Sequence, residues 1–585
     1  MENKSKKIQL SENQRQAVSV DPGVDRIVIA MAGSGKTTVL TEYYLALLET
    51  GLNPEEIVAI TFTEKAARSM RVKLVEKLLD TGRDDVAEEL YGAPISTIHS
   101  FFGRLVRENA LVLGLDPDST IIDESRAEIL REECLNEVMA KWKEENRDNY
   151  DLLLTRLEWG HDPETSFLRF FDNMKCLGFT AAELLGGPDE GEVFKRARLN
   201  LQDSIDDFLT VSSTVEKPSE SQHAKVVCAN ELREIITSMQ LDDLTFQISE
   251  EISGYAKKGK ICGPFVSAVK ESGSILKNSI SDFIDCLVYV LGKEIREIFI
   301  KLISDFENEY SLAKQRSHVL DYNDLEFHSL DLFENHPHIH KKIKARFKAF
   351  LIDEFQDTNP LQMKLIEKLR PQNGFFAVGD PRQSIYGFRH ADIRIMLNEI
   401  GKFESGIGEV VKLNENYRSR QKLLDCISGM FDLRQIDSNF SDMNFGRFIS
   451  GREFKTEGKK NPVEVIVSVG ENSEEARELE VQAVANRLAY LLNSGMKIEG
   501  QDGKSRGLTP GDCAILFRTK SRMRNFARAF EAVGIPYQIS TGGGFYNQRE
   551  VMDLINYLEL MMNPYNVLSF AEVIRAPFYG ISMDG

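Results

Sequence analysis

Two parts of the chain, residues 8–105 and 345–420, alternate short apolar runs with turn signals and helical patterns. Three of the runs, Arg26–Ile29, Phe347–Ile352 and Phe375–Val378, are continuously or mainly apolar. This pattern is typical of strands that are covered on both faces of a parallel sheet. The sequence therefore predicts an α/β unit that is assembled from two separated segments.

The stretch between these segments, roughly 106–320, has a different pattern. Charged helical periodicity runs from Glu124 to Trp142 and from Leu287 to Leu312. Clusters of helix-breaking residues at 186–191 and 217–221 separate such patterns. We predict a mainly helical accessory insertion here.

Alternating runs return after residue 420, at Val463–Val467 and Cys513–Phe517, and they predict strands of a second α/β unit. Helical patterns accompany them, at Glu474–Asn493, Met523–Val533 and Val551–Met562.

Composition describes a water-soluble globular protein of several domains. The 585 residues are 42% hydrophobic and 28% charged, and a chain of this length is expected to form several hydrophobic cores. The start, MENKSKKIQLSENQ, has no apolar stretch that would make a secretory signal. The most apolar run, Phe283–Ile303, is interrupted by charges, which predicts an amphipathic helix and no membrane span. Seven dispersed cysteines without a CxxC pair favour a cytoplasmic location and argue against a zinc or iron–sulfur site.

The formal net charge of −19 restricts the partners. Proteins that coat nucleic acid through non-specific phosphate contacts are usually basic. Binding depends on local patches, however, while net charge governs solubility and steering. The charge thus argues against histone-like coating and leaves room for a groove that holds a single strand.

The strongest local signal is AMAGSGKT at residues 30–37, directly between a predicted strand and a predicted helix. Backbone N–H groups of such a turn hold phosphate oxygens, while Lys36 neutralises the β/γ charge and the Thr37 hydroxyl ligates Mg²⁺. An isolated GKT is often an ordinary turn, but the strand–loop–helix context favours a nucleoside triphosphate site.

Two further strand ends carry polar residues that could complete this site. Asp353 and Glu354 follow one strand, where Asp353 suits Mg²⁺ and Glu354 suits activation of the attacking water. Gln383 and Arg389 follow the next strand, as candidates for sensing the γ-phosphate, with Phe388 facing a different ligand. The alternative for Asp353 and Glu354 is a pair of solvated acids at a strand end. The alternative for the segment around Gln383 is an ordinary turn with a hydrogen-bonded glutamine and a core tyrosine.

Seven segments together resemble one family. They are Leu10–Val18, the AMAGSGKT loop, Ile60–Ala67, Ser96–Phe101, LIDEFQDTN at 351–359, GDPRQSIYGFR at 379–389 and Leu413–Ser419. In this order they resemble the motifs of superfamily 1 DNA helicases of the UvrD/Rep type, and most closely those of the AddA/RecB branch.

The resemblance implies an α/β fold with two RecA-like P-loop cores. The implied boundaries are 1–105 and 321–408 for the first core, 106–320 for the helical insertion, 409–555 for the second core, incomplete, and 556–585 for the start of a second insertion.

The resemblance also implies an ATP hydrolase and helicase that uses ATP and Mg²⁺, binds single-stranded DNA and duplex junctions, and acts in repair or recombination with 3′→5′ polarity. The implied catalytic residues are Lys36, Asp353, Glu354, Gln383 and Arg418. The implied nucleotide-binding residues are Gln14, on the adenine, then Ala30, Met31, Ala32, Gly33, Ser34, Gly35, Lys36, Thr37 and Thr38, together with Arg389 and Tyr417. Thr37 and Asp353 would hold the metal.

For DNA, the implied residues are Thr61, Phe62, Thr63, Thr97, His99, Tyr386 and Phe388. Phe62 and Phe388 could stack on bases, and Thr63 could cap the helix that starts at Glu64 and offer its N-terminus to a phosphate. Core packing remains the alternative for both phenylalanines, and a structural role is as good a reading of His99 as a DNA contact.

One departure from the family concerns the C-terminus. Family motifs near "SKGLE" and "ALTRA" are expected after the insertion that begins around Gly542–Tyr546, and we find neither. The expectation is a chain without the C-terminal helicase motifs or a nuclease domain. The alternative function is therefore a truncated or split subunit that binds ATP and DNA but needs a C-terminal partner for unwinding.

Overall fold

The structure is a computed structural model, and it describes residues 10–21, 24–156, 162–215, 218–241, 244–256, 269–432, 448–452, 454, 462–500, 504–539, 549–564, 566–579 and 581. Residue contacts divide the chain into two compact units, the first ending at Asn416 and the second beginning at Tyr417.

The first unit is built on a parallel sheet. Its strands are β1 (Arg26–Ala30), β2 (Ile57–Thr61), β3 (Ile95–Thr97), β4 (Thr120–Ile121), β5 (Val319–Leu320), β6 (Ala349–Ile352), β7 (Phe375–Gly379), β8 (Glu409–Leu413) and β9 (Glu415–Asn416). Among the described residues, six of them form a sheet in the order β3-β2-β6-β7-β1-β8, and every neighbouring pair is parallel. The three strands predicted from continuous apolar runs are confirmed.

Because all six strands run the same way, their carboxyl ends meet at one edge of the sheet. The pairings place Ile352 opposite Ala377, and Ile29 opposite Gly379. The segments that follow β1, β6 and β7 are therefore neighbours in space, although more than 300 residues separate β1 from the other two strands along the chain.

Helices cover the sheet and form the insertion. They are α1 (Glu12–Val18), α2 (Lys36–Glu49), α3 (Glu64–Asp80), α4 (Asp84–Glu89), α5 (Ile98–Glu108), α6 (Glu124–Glu145), α7 (Arg147–Arg156), α8 (Pro163–Cys176), α9 (Ala181–Leu185), α10 (Glu190–Ser213), α11 (Glu220–Ser238), α12 (Phe246–Ala256), α13 (Lys270–Leu291), α14 (Lys293–Arg316), α15 (Tyr322–Asn335), α16 (Pro337–Arg346), α17 (Pro360–Leu369) and α18 (Ile393–Lys402). One apolar core joins α2, α3 and α4 to the sheet, with Leu40, Tyr44 and Leu74 fully buried.

The insertion comprises α6 to α14 and has two apolar cores of its own. One surrounds Trp142 and Phe306, and the other surrounds Phe208 and Phe283. β4 pairs with β5 in parallel, so the two ends of the insertion are tied together beside the sheet. The helical character expected for this region is present.

The apolar run Phe283–Ile303 forms two helices instead of the one we predicted. α13 ends at Leu291 and α14 begins at Lys293, with Gly292 between them. A Cβ at Gly292 would lie 2.8 Å from the Val288 carbonyl oxygen. The close approach of the backbone at this turn therefore requires glycine. In the described residues no helix is long and apolar enough to cross a membrane.

The second unit contains β10 (Ile449–Ser450), β11 (Lys497–Glu499), β12 (Ser505–Gly507), α19 (Gln421–Asp432), α20 (Ser473–Asn493), α21 (Met523–Ala532), α22 (Arg549–Met562) and α23 (Val567–Arg575). The predicted helices of this region are confirmed, whereas the predicted strands at Val463–Val467 and Cys513–Phe517 are wrong. Ile515 and Phe517 do pack against a helical core around Phe526, but Leu516 is 94% exposed. The alternation is thus real, but a strand also needs a hydrogen-bonding neighbour, and neither segment is paired in a ladder with another described segment.

One predicted boundary differs from the structure, and one predicted segment lies outside the described residues. The sequence assigned residues from 409 onward to the second core, but β8 pairs with β1 and belongs to the first sheet. The segment Gly542–Tyr546, at which we placed the start of the second insertion, lies outside the described residues. A RecA-like architecture of the second unit remains a prediction.

Candidate nucleotide and DNA site

The phosphate loop lies between β1 and α2, as predicted. Gly33 and Gly35 have positive φ angles of 74° and 89°, which side chains other than glycine rarely adopt. Gly35 is the N-cap of α2 and provides no side-chain hydrogen bond to the first turn of that helix. The Ser34 Oγ is buried and has no partner within the described protein. A helix N-terminus with unused N–H groups and a buried hydroxyl suits a bound phosphate.

Two amide side chains hold this loop from outside. Gln14 is buried, and its Nε2 donates to the Ser34 carbonyl at 2.8 Å. Asn416 Nδ2 donates to the Ala32 carbonyl at 2.6 Å. The assignment of Gln14 to the adenine base stays a prediction; the structure gives it contact with the loop. Sequence reasoning gave Asn416 no role, although it stands in the motif segment Leu413–Ser419.

The acid pair follows β6 and faces the loop lysine. Lys36 Nζ lies 2.5 Å from Glu354 Oε2. Glu354 adopts a left-handed backbone conformation, with φ of 52°, which turns its side chain away from the line of the strand. Burial, together with the charge of Glu354, raises the pKa of Asp353 to about 6. A buried carboxylate whose ionisation is costly is stabilised by a cation, so Asp353 fits the metal role that the sequence gave it, with Thr37 in the first turn of α2.

Gln356 and Asp380, which sequence reasoning missed, connect the acid pair to the end of β7. Gln356 Nε2 donates to Glu354 Oε2 at 2.8 Å, and its Oε1 accepts from the Asp380 backbone N–H at 2.9 Å. Asp380 is buried and accepts from Gln383 Nε2 at 2.6 Å. Gln383, our candidate γ-phosphate sensor, is therefore held by Asp380 in this structure.

Asp357 gives a stability prediction with a defined sign. Burial and the charge of Glu354 raise the pKa of Asp357 to about 6, from an ordinary value of 3.8, and its Oδ1 is buried without a hydrogen-bond partner among the described residues. The folded state thus binds this proton more tightly than the unfolded state, and stability falls as pH rises from about 4 to about 6. We expect Asp357→Asn to stabilise the nucleotide-free protein at pH 7.5 by on the order of 1 kcal/mol, and to have less effect at pH 5.

Thermal unfolding of this variant at the two pH values checks the expectation. Asp80→Asn, at an exposed carboxylate at the end of α3, is the control and should change stability little at either pH. An Asp357→Asn protein whose advantage is equal at pH 5 and pH 7.5 would contradict the assigned cause.

A cavity of about 650 Å³ opens at the same sheet edge, in the first unit. Its walls include Arg389 and all of the residues we predicted to contact DNA: Thr61, Phe62, Thr63, Thr97, His99, Tyr386 and Phe388. Three of the rings form a row, with centroids 4.5 Å apart for Phe62 and Tyr386 and 5.7 Å apart for Tyr386 and Phe388. Phe388 is 75% exposed, so the core-packing alternative for this residue does not describe the structure.

The aromatic row, defined as Phe62, Tyr386 and Phe388, also holds Arg389. The Arg389 guanidinium lies 5.8 Å from the centre of the Tyr386 ring. The assignment of Arg389 to the nucleotide stays a prediction; the structure places Arg389 among the cavity walls, beside the aromatic row.

Two helix N-termini also border the cavity. The Thr63 hydroxyl accepts from the Ala66 N–H at 3.2 Å, which confirms the predicted cap of α3, and Thr97 caps α5 in the same way. Glu64 Oε1 accepts from the Thr97 hydroxyl at 2.7 Å and so links the two helix starts. Glu64 also accepts a hydrogen bond from the Ser100 hydroxyl. The bond from Ser100 and then the bond from Thr97 lower the pKa of Glu64. Thr61 is buried and its hydroxyl donates to the Thr63 carbonyl, so it shapes the turn.

His99 has structural partners. Its Nε2 lies 3.2 Å from Glu326 Oε1, and its ring is 4.8 Å from that of Tyr322. The two readings of this histidine both have support, since it is held by buried Glu326 and yet lines the cavity.

Tyr417 and Arg418 open the second unit, where Arg418 is exposed. Their nucleotide roles stay predictions. Within the described residues, no group of three or more histidine, cysteine, aspartate or glutamate side chains could hold a metal ion alone. The six described cysteines are free thiols, and Cys262 lies outside the description.

Comparisons with known proteins match nearly the whole chain. The family model of the UvrD/REP helicase N-terminal domain matches residues 10–404, and that of the UvrD-like helicase C-terminal domain matches residues 411–584. The second match overturns our expectation that the chain lacks the C-terminal part of this family: two short motif spellings were too narrow a criterion for a domain.

Curated relatives agree with this assignment. An ATP-dependent helicase/nuclease subunit of Exiguobacterium sibiricum is 26% identical over 98% of this chain and 53% of its own length. The protein of the same name from Staphylococcus haemolyticus is 24% identical over 96% of this chain and 51% of its own. The "Exonuclease/helicase subunit RexA" of Lactococcus lactis subsp. cremoris is 23% identical over 99% and 53%. The chain spans about half the length of the curated relatives it matches.

Proposed function

The chain belongs to the UvrD/REP helicase family, and on that premise we propose that it is an ATP-driven motor that moves along single-stranded DNA and unwinds duplex during repair or recombination. The main support is one arrangement: the phosphate loop with its acid pair and the exposed aromatic row stand at the same edge of one sheet. Such an arrangement allows hydrolysis to be coupled to the grip on a base.

For the nucleotide, we propose that the N–H groups of the loop and of α2 bind the β- and γ-phosphates. Lys36, now paired with Glu354, would turn to the phosphates, since a phosphate group carries more charge than one carboxylate. Thr37 and Asp353 would hold Mg²⁺, which neutralises charge on the phosphates.

For hydrolysis, we propose that Glu354 accepts the proton of the attacking water. Once Lys36 has turned away, Glu354 Oε2 has a free site for that proton and keeps its hydrogen bond from Gln356. Gln383, Tyr417 and Arg418 are further proposals, taken from the family, for contacts that sense the γ-phosphate.

For DNA, we propose that bases stack on Phe388 and Tyr386 while phosphates meet the N-termini of α3 and α5. Stacking does not depend on base identity, as a motor that ignores sequence requires. The 3′→5′ polarity is proposed from the family. The relatives are named as subunits, and we propose that this chain likewise works in a complex with a second protein.

The experiment that tests this function measures ATP hydrolysis by the purified chain with and without single-stranded DNA. We expect hydrolysis that requires Mg²⁺ and rises several-fold with DNA of any sequence. Strand displacement on duplexes with a 3′ or a 5′ tail then tests the polarity. Hydrolysis indifferent to DNA would contradict the proposal.

Phe388 offers a separate test of the DNA groove. We expect Phe388→Ala to weaken binding of single-stranded DNA by about 1–3 kcal/mol, because one stacking surface is lost. Fluorescence anisotropy with a labelled oligonucleotide measures the change, and the affinity for nucleotide should stay within about twofold. Tyr91→Ala is the matched control, since Tyr91 is 76% exposed but lies outside the cavity walls. Equal DNA affinity of the two variants would contradict a stacking role.

A further inference from the structure

The carboxamide of Gln356 contacts both the acid pair that follows β6 and the segment that follows β7. Gln356 is only 2% exposed. Its Nε2 donates to the Glu354 carboxylate at 2.8 Å, and its Oε1 accepts from the Asp380 N–H at 2.9 Å. Its backbone carbonyl accepts from the Ser384 hydroxyl at 3.2 Å. One buried residue thus joins the proposed proton acceptor to the segment that follows β7.

The backbone of β7 approaches this side chain closely at Gly379. A Cβ at Gly379 would lie 2.6 Å from Gln356 Oε1 and 3.1 Å from the Met396 sulfur. The end of β7 therefore sits directly against the carboxamide, and the adjoining Asp380 N–H is aimed at it. Movement of this strand end changes the position of the carboxamide.

The segment bonded to Gln356 continues into the aromatic row. Ser384 stands two residues before Tyr386 and four before Phe388. A base stacked on these rings would reorient the segment that carries them. The Ser384 and Asp380 hydrogen bonds would carry that change to Gln356, and the Nε2 hydrogen bond would carry it to Glu354.

Glu354 depends on Gln356 most strongly when nucleotide is bound. In the nucleotide-free protein, Glu354 Oε2 is held by both Lys36, at 2.5 Å, and Gln356. When phosphates draw Lys36 away, the amide of Gln356 remains to orient the carboxylate. We propose that Gln356 is a positioning residue that couples occupancy of the aromatic row by single-stranded DNA to the orientation of Glu354. The inference rests on the function proposed above.

The test replaces Gln356 with methionine, which keeps the volume but removes the donor and the side-chain acceptor. We expect Gln356→Met to bind a non-hydrolysable ATP analogue and single-stranded DNA within about threefold of the unmodified chain. The turnover number with DNA should fall by about tenfold or more, and the ratio of rates with and without DNA should approach one. KM for ATP should change little, because the phosphate contacts remain.

Gln222→Met is the matched control. Gln222 is also 2% exposed, and its Nε2 donates to Ser212 within the helical insertion. We expect it to keep the full stimulation by DNA. Ser384→Ala is a second variant that removes only the hydroxyl bond to the Gln356 carbonyl, and it should lower the stimulation ratio without lowering the thermal unfolding midpoint. If Gln356→Met unfolds, Ser384→Ala alone tests the coupling role of Gln356.

The outcomes separate the inference from the function on which it rests. If the unmodified chain is stimulated by DNA and both Gln356→Met and Ser384→Ala keep that stimulation, the coupling role is overturned and the motor function stands. If DNA does not stimulate the unmodified chain, the proposed function falls and the inference falls with it.

Discussion

Replacing Lys36 with alanine is expected to lower ATP hydrolysis by at least about 10²–10³-fold, the cost of removing one preorganised charge from a reaction centre. Lys36 lies in the first turn of α2 and is the cation paired with Glu354. The positive charge of Lys36 also offsets part of the rise in the pKa of the half-buried Asp353 and Asp357, so its loss removes a favourable interaction from three neighbouring carboxylates. Nucleotide affinity should fall together with turnover.

Steady-state hydrolysis and binding of a fluorescent nucleotide analogue measure the two effects. Lys301→Ala, at an exposed lysine on α14, controls for the loss of one positive charge. Turnover of Lys36→Ala at the level of this control would refute the assignment of the phosphate loop.

Replacing Glu354 with glutamine should separate binding from chemistry. The amide has the same shape and can still accept the hydrogen bond from Gln356, but it cannot take a proton from water. We expect turnover to fall by about 10²–10⁴-fold, the usual contribution of a general base. Nucleotide affinity should stay the same or rise, because the carboxylate that competes with phosphate for Lys36 is gone.

Single-turnover hydrolysis and nucleotide binding distinguish this variant from Lys36→Ala, in which both quantities fall. Glu89→Gln, at an exposed carboxylate that ends α4, is the control. A Glu354→Gln protein that hydrolyses ATP at the control rate would show that another group takes the proton.

The features that could be predicted from the sequence are those that short segments encode locally. The phosphate loop, the acid pair after β6 and the cap of α3 each depend on residues within one short segment. Their backbone geometry is therefore encoded where it occurs: glycines supply the positive φ angles of the loop, and Thr63 caps its own helix. Mainly apolar runs likewise specified β1, β6 and β7, because a strand that is covered on both faces buries nearly all of its side chains.

Pairing and close packing, by contrast, were decided only in three dimensions. The alternating runs near Val465 and Ile515 carry the pattern of strands but lack partners in a ladder, whereas β8 joins the first sheet. Whether a run becomes a strand depends on the neighbour that receives its hydrogen bonds, and that neighbour is remote in sequence.

The same reason explains which site residues were missed. Gln356 and Asn416 look like ordinary polar residues, and their importance lies in contacts with Asp380 and Ala32 across different strand ends. The aromatic row likewise joins Phe62 to Tyr386 through the parallel pairing of the sheet. The sequence by itself identified the groups that we propose to bind phosphate and to activate water. The tertiary structure decided which side chains hold those groups in place, because only the shared edge of the sheet brings segments so distant along the chain within hydrogen-bonding reach.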